Sequence, residues 1–209
     1  MKTSIKTLIT AVVTTVVLTG SAVASKAADG GAVTVLSQVK KVNSINVSGN
    51  VKLILVQSAD ESVKVYDSYF SKNALVQQKD GELRISSFNK ETLTVVVYVT
   101  NLSSISASNN ASVSTFGKFS VPSLIVDLKD QATANLNTNT ISLYTNLGGQ
   151  SNLTLTGETM DYSAVLGSIA KVNLASFNAQ NTDIQTKNIS IAKVAAPVTL
   201  TDLYNLKNS

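Results

Sequence analysis

Cysteine, histidine and tryptophan are all missing from the 209 residues, and each absence closes a route to function. Without cysteine there are no disulfides and no thiolate metal ligands. The lipid-anchored type of export signal, which needs a cysteine at the new N-terminus, is excluded with them. Without histidine neither a Ser-His-Asp nor a Cys-His nucleophilic arrangement can be assembled, and a zinc site would have to be built from carboxylates alone. Arg84 is the sole arginine and the lysines are dispersed, so the basic footprint of a nucleic-acid binder is lacking. No cofactor, no metal and no nucleic-acid partner is expected. A chain without disulfides must hold itself together by packing and backbone pairing.

What the sequence does contain is a repeat. From about Val99 to Val194, the positions Asn109, Asp130, Gly149, Ser168 and Lys187 follow one another at steps of roughly 21, 19, 19 and 19 residues, a period in the solenoid range. Side chains recur in the same frame: Leu136, Leu155 and Leu174; Ala134, Leu153 and Val172; Leu128, Leu147 and Leu166. Each unit reads as two short strands around a polar kink, with apolar residues alternating with Ser, Thr and Asn in the pattern of a strand buried on one face. In the third unit these are Ile141 to Leu147 and Asn152 to Thr156, with Gly148-Gly149-Gln150 between them. Stacked in register, five rungs about 4.8 Å apart would make a column roughly 24 Å long. An antiparallel sandwich or barrel also gives many short strands, but has no reason to repeat side-chain identity at a fixed step.

In chain order, Lys2 and Lys6 precede an apolar stretch from Leu8 to Leu18 and a small-residue site Ala22-Val23-Ala24, the layout of a secretory signal peptide spanning 1–24. It is too short for a convincing membrane span, so none is expected after cleavage. Removing its two lysines lowers the formal net charge from +4 to +2. Residues 25–41, with Ala27 to Ala32 small and glycine-rich, read as a linker. Residues 42–100 read as a sheet-forming cap. In it Ile45 to Ser48 and Val51 to Gln57 are joined by the tight turn Gly49-Asn50, Lys79-Asp80-Gly81 introduces another strand, and Leu93 to Val99 suits a strand buried on both faces. Residues 101–197 are the repeating rungs, closed at Pro197, and 198–209 are a tail. The whole of 42–197 is one domain.

An export signal, an opening INVSGNVKLILVQ, a middle DGELRIS, a strand LTVVVYV and rungs at this regular step together resemble the auto-transporter adhesin head GIN domain family of Gram-negative bacteria. The resemblance covers roughly residues 42 to 197. It implies an exported, β-helical, adhesin-like module without a catalytic signature. The kinks here read Ser108-Asn109-Asn110, Lys129-Asp130-Gln131, Gly148-Gly149-Gln150 and Gly167-Ser168-Ile169 where that family often has Ser and Gly; Asn and Asp accept the same left-handed backbone.

Two kinds of residue could carry chemistry. β-Helices are a frequent scaffold for polysaccharide-cleaving enzymes that use clustered carboxylates, and Asp127, Asp130 and Asp161 are the candidates, but Asp127 aligns with Asn146 and Val165 and no carboxylate column forms. Carbohydrate binders present exposed aromatics. Tyr144 and Tyr162, close to one repeat apart, are the pair that adjacent rungs could bring together, with packing in the rung as the competing role. The repeat lacks the glycine spacing of calcium-binding β-rolls.

The sequence thus leads to an all-β chain, a right-handed single-stranded parallel β-helix with an N-terminal strand-rich cap, exported to the periplasm, the outer-membrane surface or the exterior. It would act without catalysis, binding surface glycans or envelope proteins weakly through a strand face. Two other functions stay open: a carbohydrate-active enzyme, and a periplasmic ligand-sensing domain, which a pocket between the cap and the first rung would favour. Exposed terminal rungs allow end-to-end self-association.

Overall fold

A computed structural model describes Val16–Val17, Val23–Lys26 and residues 32–66 and 74–187. All regular structure in these residues is β, and among them no helix is long and apolar enough to cross a membrane. The repeat frame is what aligns the strands. β4 (Ser44–Ser48), β8 (Glu82–Ser87) and β10 (Ser104–Ser108) stack in parallel, and the ends of β12 (Phe119–Leu128), β13 (Thr133–Leu147), β14 (Asn152–Gly167) and β15 (Lys171–Lys187) continue that side. A second side runs through β9 (Leu93–Val99), β5 (Val51–Gln57) and β11 (Ser112–Phe116) to the first halves of β13, β14 and β15.

The recurring leucines lie where the repeat step puts them up to β14. Against β15 a bulge between Thr154 and Thr156 takes Leu155 and Leu174 out of register, and beyond it partners stand 20 residues apart, Leu166 with Thr186 and Gly167, not Ser168, with Lys187. Ala134 pairs with Leu153 and Leu153 with Val172; Leu128 pairs with Leu147 and Leu147 with Leu166. The first side buries Leu83, Ile45, Ile105 and Val126 in one column, and the second buries Val95, Leu53, Val113 and Ala134. Each fully buried Leu or Val contributes on the order of 1.5–3 kcal/mol against the cost of ordering the chain.

Three expectations change. First, the coil has three sides rather than two, because β12 to β15 carry an additional segment ahead of the first side, between the second strand of one unit and the first strand of the next. Phe119, Thr138, Gly157 and Phe177 open this third side in register. The burial of β12, β13 and β14 shows the corner where it meets the first side: two successive outward residues at Pro122-Ser123, Ile141-Ser142 and Met160-Asp161 interrupt the alternation. Second, the strands within residues 42–100 are arranged differently from the expected hairpin. β4 and β5 do not pair with each other but turn a corner at Gly49-Asn50, and this rung is inserted between β8/β9 and β10/β11. β9 buries Leu93, Val95, Val97 and Val99 fully and leaves the other face half-buried.

Third, the sheet is mixed. Beyond β8 and β9 it turns antiparallel, with β7 (Ala74–Lys79) on β8, β6 (Ser62–Tyr66) on β9 and β3 (Ala32–Leu36) on β6. The β7–β8 hairpin explains the reversal locally: Asp80 and Gly81 both have positive φ (51° and 80°), the two-residue turn that returns a strand on itself. The expected linker gives way to structure at Ala32, since Val33, Leu36 and Val39 are buried in the core. Most of the expected signal segment lies outside the described residues. Within it β1 (Val16–Val17) pairs with β7, and β2 (Val23–Lys26), which spans the expected cleavage point, pairs with β3. Pro197 and the tail 198–209 lie outside the described residues.

Candidate ligand-binding face

The kinks settle the role of one carboxylate. Asn109, Asp130 and Gly149 all hold φ near +60°, and the Asp130 carboxylate accepts the backbone N–H of Asn109 at 3.0 Å while the carbonyls of Asn109 and Asp130 receive Gln131 N–H and Gln150 N–H. Asp130 is a bracket between rungs. Asp127 accepts from Asn146 Nδ2 at 3.3 Å and lies 3.5 Å from Lys129 Nζ; Asp161 accepts from Asn181 Nδ2 at 2.8 Å. Asp127 is on β12 and Asp161 on β14, two rungs apart, and Asp161 precedes by four positions the residue aligned with Asp127, Val165. Two rungs span about 10 Å and four strand residues about 13 Å, well outside the spacing of a glycosidase pair. Among the described residues no cluster of acidic side chains is arranged to hold a metal ion.

The two tyrosines face opposite ways. Tyr144 pairs with Ile125 and Ser163 and points outward, 39% exposed, whereas Tyr162 pairs with Leu143 and is 1% exposed. Tyr162 sits edge-on to Phe177, ring centres 5.5 Å apart, and its hydroxyl hydrogen-bonds Thr145 Oγ1 at 3.0 Å. Burial pushes its phenol above the usual value, with the Thr145 hydrogen bond opposing in part. The two tyrosines stand one position short of a full repeat, and one place along a strand is the other face. The expected two-tyrosine platform is therefore not formed.

In place of Tyr162 the corner supplies apolar neighbours. Ile125 (45% exposed), Ile141 (55%) and Met160 (46%) are solvent-facing. Ile125 is directly across from Tyr144, and Ile141 and Met160 occupy the same corner position on successive rungs. Ser142, Asn146, Ser163, Asp127 and Asp161 surround them on the same outer surface. The result is two apolar pairs on the outer surface, Ile125 with Tyr144 and Ile141 with Met160, three residues or about 10 Å apart along the strand, with hydroxyl, amide and carboxylate groups between and around them. Nothing in the two-strand reading of each unit pointed to the corner; the signal available was the pair of successive non-core residues recurring once per repeat.

The model of the family described as "putative auto-transporter adhesin, head GIN domain" matches residues 41–201. The chain belongs to this family. The head GIN domain is also similar to solved structures, all at identities that speak for the fold alone. A "putative adhesin" from Parabacteroides distasonis is 16% identical with a TM-score of 0.56, covering 75% of this chain and 79% of that one. A second, from Parabacteroides merdae, is 11% identical with a TM-score of 0.55 and coverage of 74% and 76%. A "putative lipid binding protein" from Parabacteroides distasonis is 12% identical with a TM-score of 0.58 and coverage of 71% and 76%. Among curated proteins none matches this head GIN domain.

Proposed function

We propose that this protein is an exported, non-catalytic adhesin-like module that holds surface glycans weakly on the outer face around Tyr144. In this reading residues 1–24 are removed as a signal, the coil is a right-handed β-solenoid, and many copies or many contacts supply the strength that one contact lacks. The observation that carries it is the exposed Tyr144 ring across from Ile125, with Ile141 and Met160 about 10 Å further along the same outer surface and Ser142, Asn146, Asp127 and Asp161 around them. The C–H face of a sugar packs on the Tyr144 ring and Ile125 while its hydroxyls reach the amide, hydroxyl and carboxylate groups. The bracing of Asp130, and the distance between Asp127 and Asp161, speak for binding rather than hydrolysis. Envelope proteins are the alternative partners. End-to-end association would use β15, which among the described residues pairs only with β14.

The test is a glycan-array screen of the chain from Ser25 with Tyr144→Ala and Tyr162→Phe variants. Binding that is lost in Tyr144→Ala and kept in Tyr162→Phe supports the face. Binding that survives Tyr144→Ala, or no binding by the folded wild type, removes it.

A further inference from the structure

Away from the Tyr144 face, three loops converge on one cavity: residues 40–43 before β4, 59–61 before β6, and 100–101 before β10. It has a volume of about 490 Å³ and is lined by Lys40, Lys41, Val42, Asn43, Ala59, Glu61, Thr100 and Asn101. It is an open groove where the rungs of residues 44–99 meet those that follow, with a volume in the range of about 300–1,000 Å³ found for small-molecule sites.

The walls are tied. The two Glu61 carboxylate oxygens accept the backbone N–H groups of Val42 (3.3 Å) and Thr100 (3.4 Å), so one side chain clamps two of the loops. Thr100 Oγ1 lies within hydrogen-bond distance of the Ser58 and Ala59 carbonyls (3.1 and 3.3 Å), and the Ser103 N–H and hydroxyl both donate to the Asn43 carbonyl (2.8 and 2.9 Å). The main chain of Lys40 is gripped from both sides by the Gln78 amide, which accepts its N–H and donates to its carbonyl. Lys41 is held at φ 54°.

The charge on this frame is lopsided. Ion pairs among the described residues are Arg84–Glu82, Lys118–Glu158 and Lys129–Asp127, so neither Lys40 nor Lys41 has a carboxylate partner there. Glu61, the acid of the cavity, is directed at backbone N–H groups. Asn43, Thr100 and Asn101 add neutral hydrogen-bonding groups at the margin. Two lysines against one glutamate leave the lining with one net positive charge beside amides and a hydroxyl, a match for an anion that also bears hydroxyls.

We propose that this cavity takes the acidic residue of a glycan, a sugar carrying a carboxylate, with Lys40 and Lys41 on the carboxylate and Asn43, Thr100 and Asn101 on the hydroxyls. The inference rests on the glycan-binding reading and adds a second, charge-selective subsite to it.

The experiment is calorimetric titration of the folded chain with a glucuronate-containing oligosaccharide, its neutral glucose counterpart, and inorganic phosphate, at low and high salt. Wild type, a Lys40→Gln, Lys41→Gln double variant and Tyr144→Ala are compared, with thermal melts to confirm that each is folded. The cavity predicts that the acidic oligosaccharide binds more tightly than the neutral one and that the double variant loses about ten- to a hundredfold of that affinity. Salt weakens the acidic ligand alone. Equal affinity of wild type and double variant for the acidic ligand, or no preference for it over the neutral one, overturns the proposal. Phosphate competing as strongly as the sugar overturns it too, as the mark of a bare anion site. A neutral oligosaccharide that binds wild type but not Tyr144→Ala keeps the reading of the outer face even if the cavity fails.

Discussion

Replacing Gly157 by alanine tests whether the rungs are stacked as closely as their register implies. Gly157 lies opposite Thr138 at the corner where the second side gives way to the third, with φ +95°. Two costs add. A Cβ in the left-handed region is disfavoured by about 1–2 kcal/mol. This Cβ would also stand 3.0 Å from Asn137 Oδ1 and far closer to the Thr138 carbonyl oxygen, so a whole rung must shift to admit it. Forced repacking of that kind costs about 1–3 kcal/mol. The total of about 2–5 kcal/mol corresponds to a fall of roughly 5–15 °C in melting temperature for a domain of this size. Gly148→Ala is the internal control: its backbone is not left-handed and the nearest atom to its added Cβ, Leu128 O, is 3.8 Å away, so the change should be close to neutral. Differential scanning calorimetry of both variants decides. A Gly157→Ala protein melting within about 2 °C of wild type, or a Gly148→Ala protein falling equally far, would refute the close approach.

Leu155→Ala should cost about 2–5 kcal/mol by leaving a void in a column with little room to collapse, measured by urea denaturation at unchanged m-value. Tyr162→Phe should destabilise by about 1–3 kcal/mol, because it strands the buried Thr145 hydroxyl, and should leave glycan binding intact. The phenol of Tyr162 titrates higher when folded than when unfolded, so its neutral form contributes stability that is fully present below the ordinary tyrosine value near 10 and is lost as pH rises through the folded value. Ultraviolet titration should therefore show a late-ionising tyrosine that Tyr162→Phe removes, with alkaline unfolding following it. Asp130→Ala should destabilise through the lost bracket to Asn109 N–H and the left-handed backbone, while Asp130→Gly should recover part of the loss, as read from paired melting curves.

Period and core were legible because they are one-dimensional. Leu128, Leu147 and Leu166 recur at one fixed step whether or not the shape of a rung is known, and parallel stacking then follows from register alone. The third side was not legible. Its residues, such as Thr138, Thr140 and Thr159, are buried yet polar, with Thr140 donating to Thr159 at 2.9 Å, so apolar alternation fades just where the extra segment lies. The fate of Tyr162 shows how narrow the margin is in the site. A single position of offset from Tyr144 exchanged solvent for core, and composition carries no record of which side of a pleat a ring occupies. The insertion of β4 and β5 among later rungs was also hidden, since strands that pair at a distance leave no fixed step behind.

That insertion orders events in time. The rung made by β4 and β5 has both of its neighbours, β8/β9 and β10/β11, later in the chain, so its pairing is not complete until Phe116 has emerged. From β13 onward each new strand lies on the one before it, about a single repeat back. A chain emerging from its N-terminus can pair β4 with β8 and β5 with β9, and add the antiparallel strands, once Val99 is out. It closes the other edge of that rung only with β10 and β11. It would lengthen thereafter by single steps of small loop-closure entropy. The late rungs can multiply by duplication without disturbing what precedes them, whereas residues 44–116 must be inherited whole.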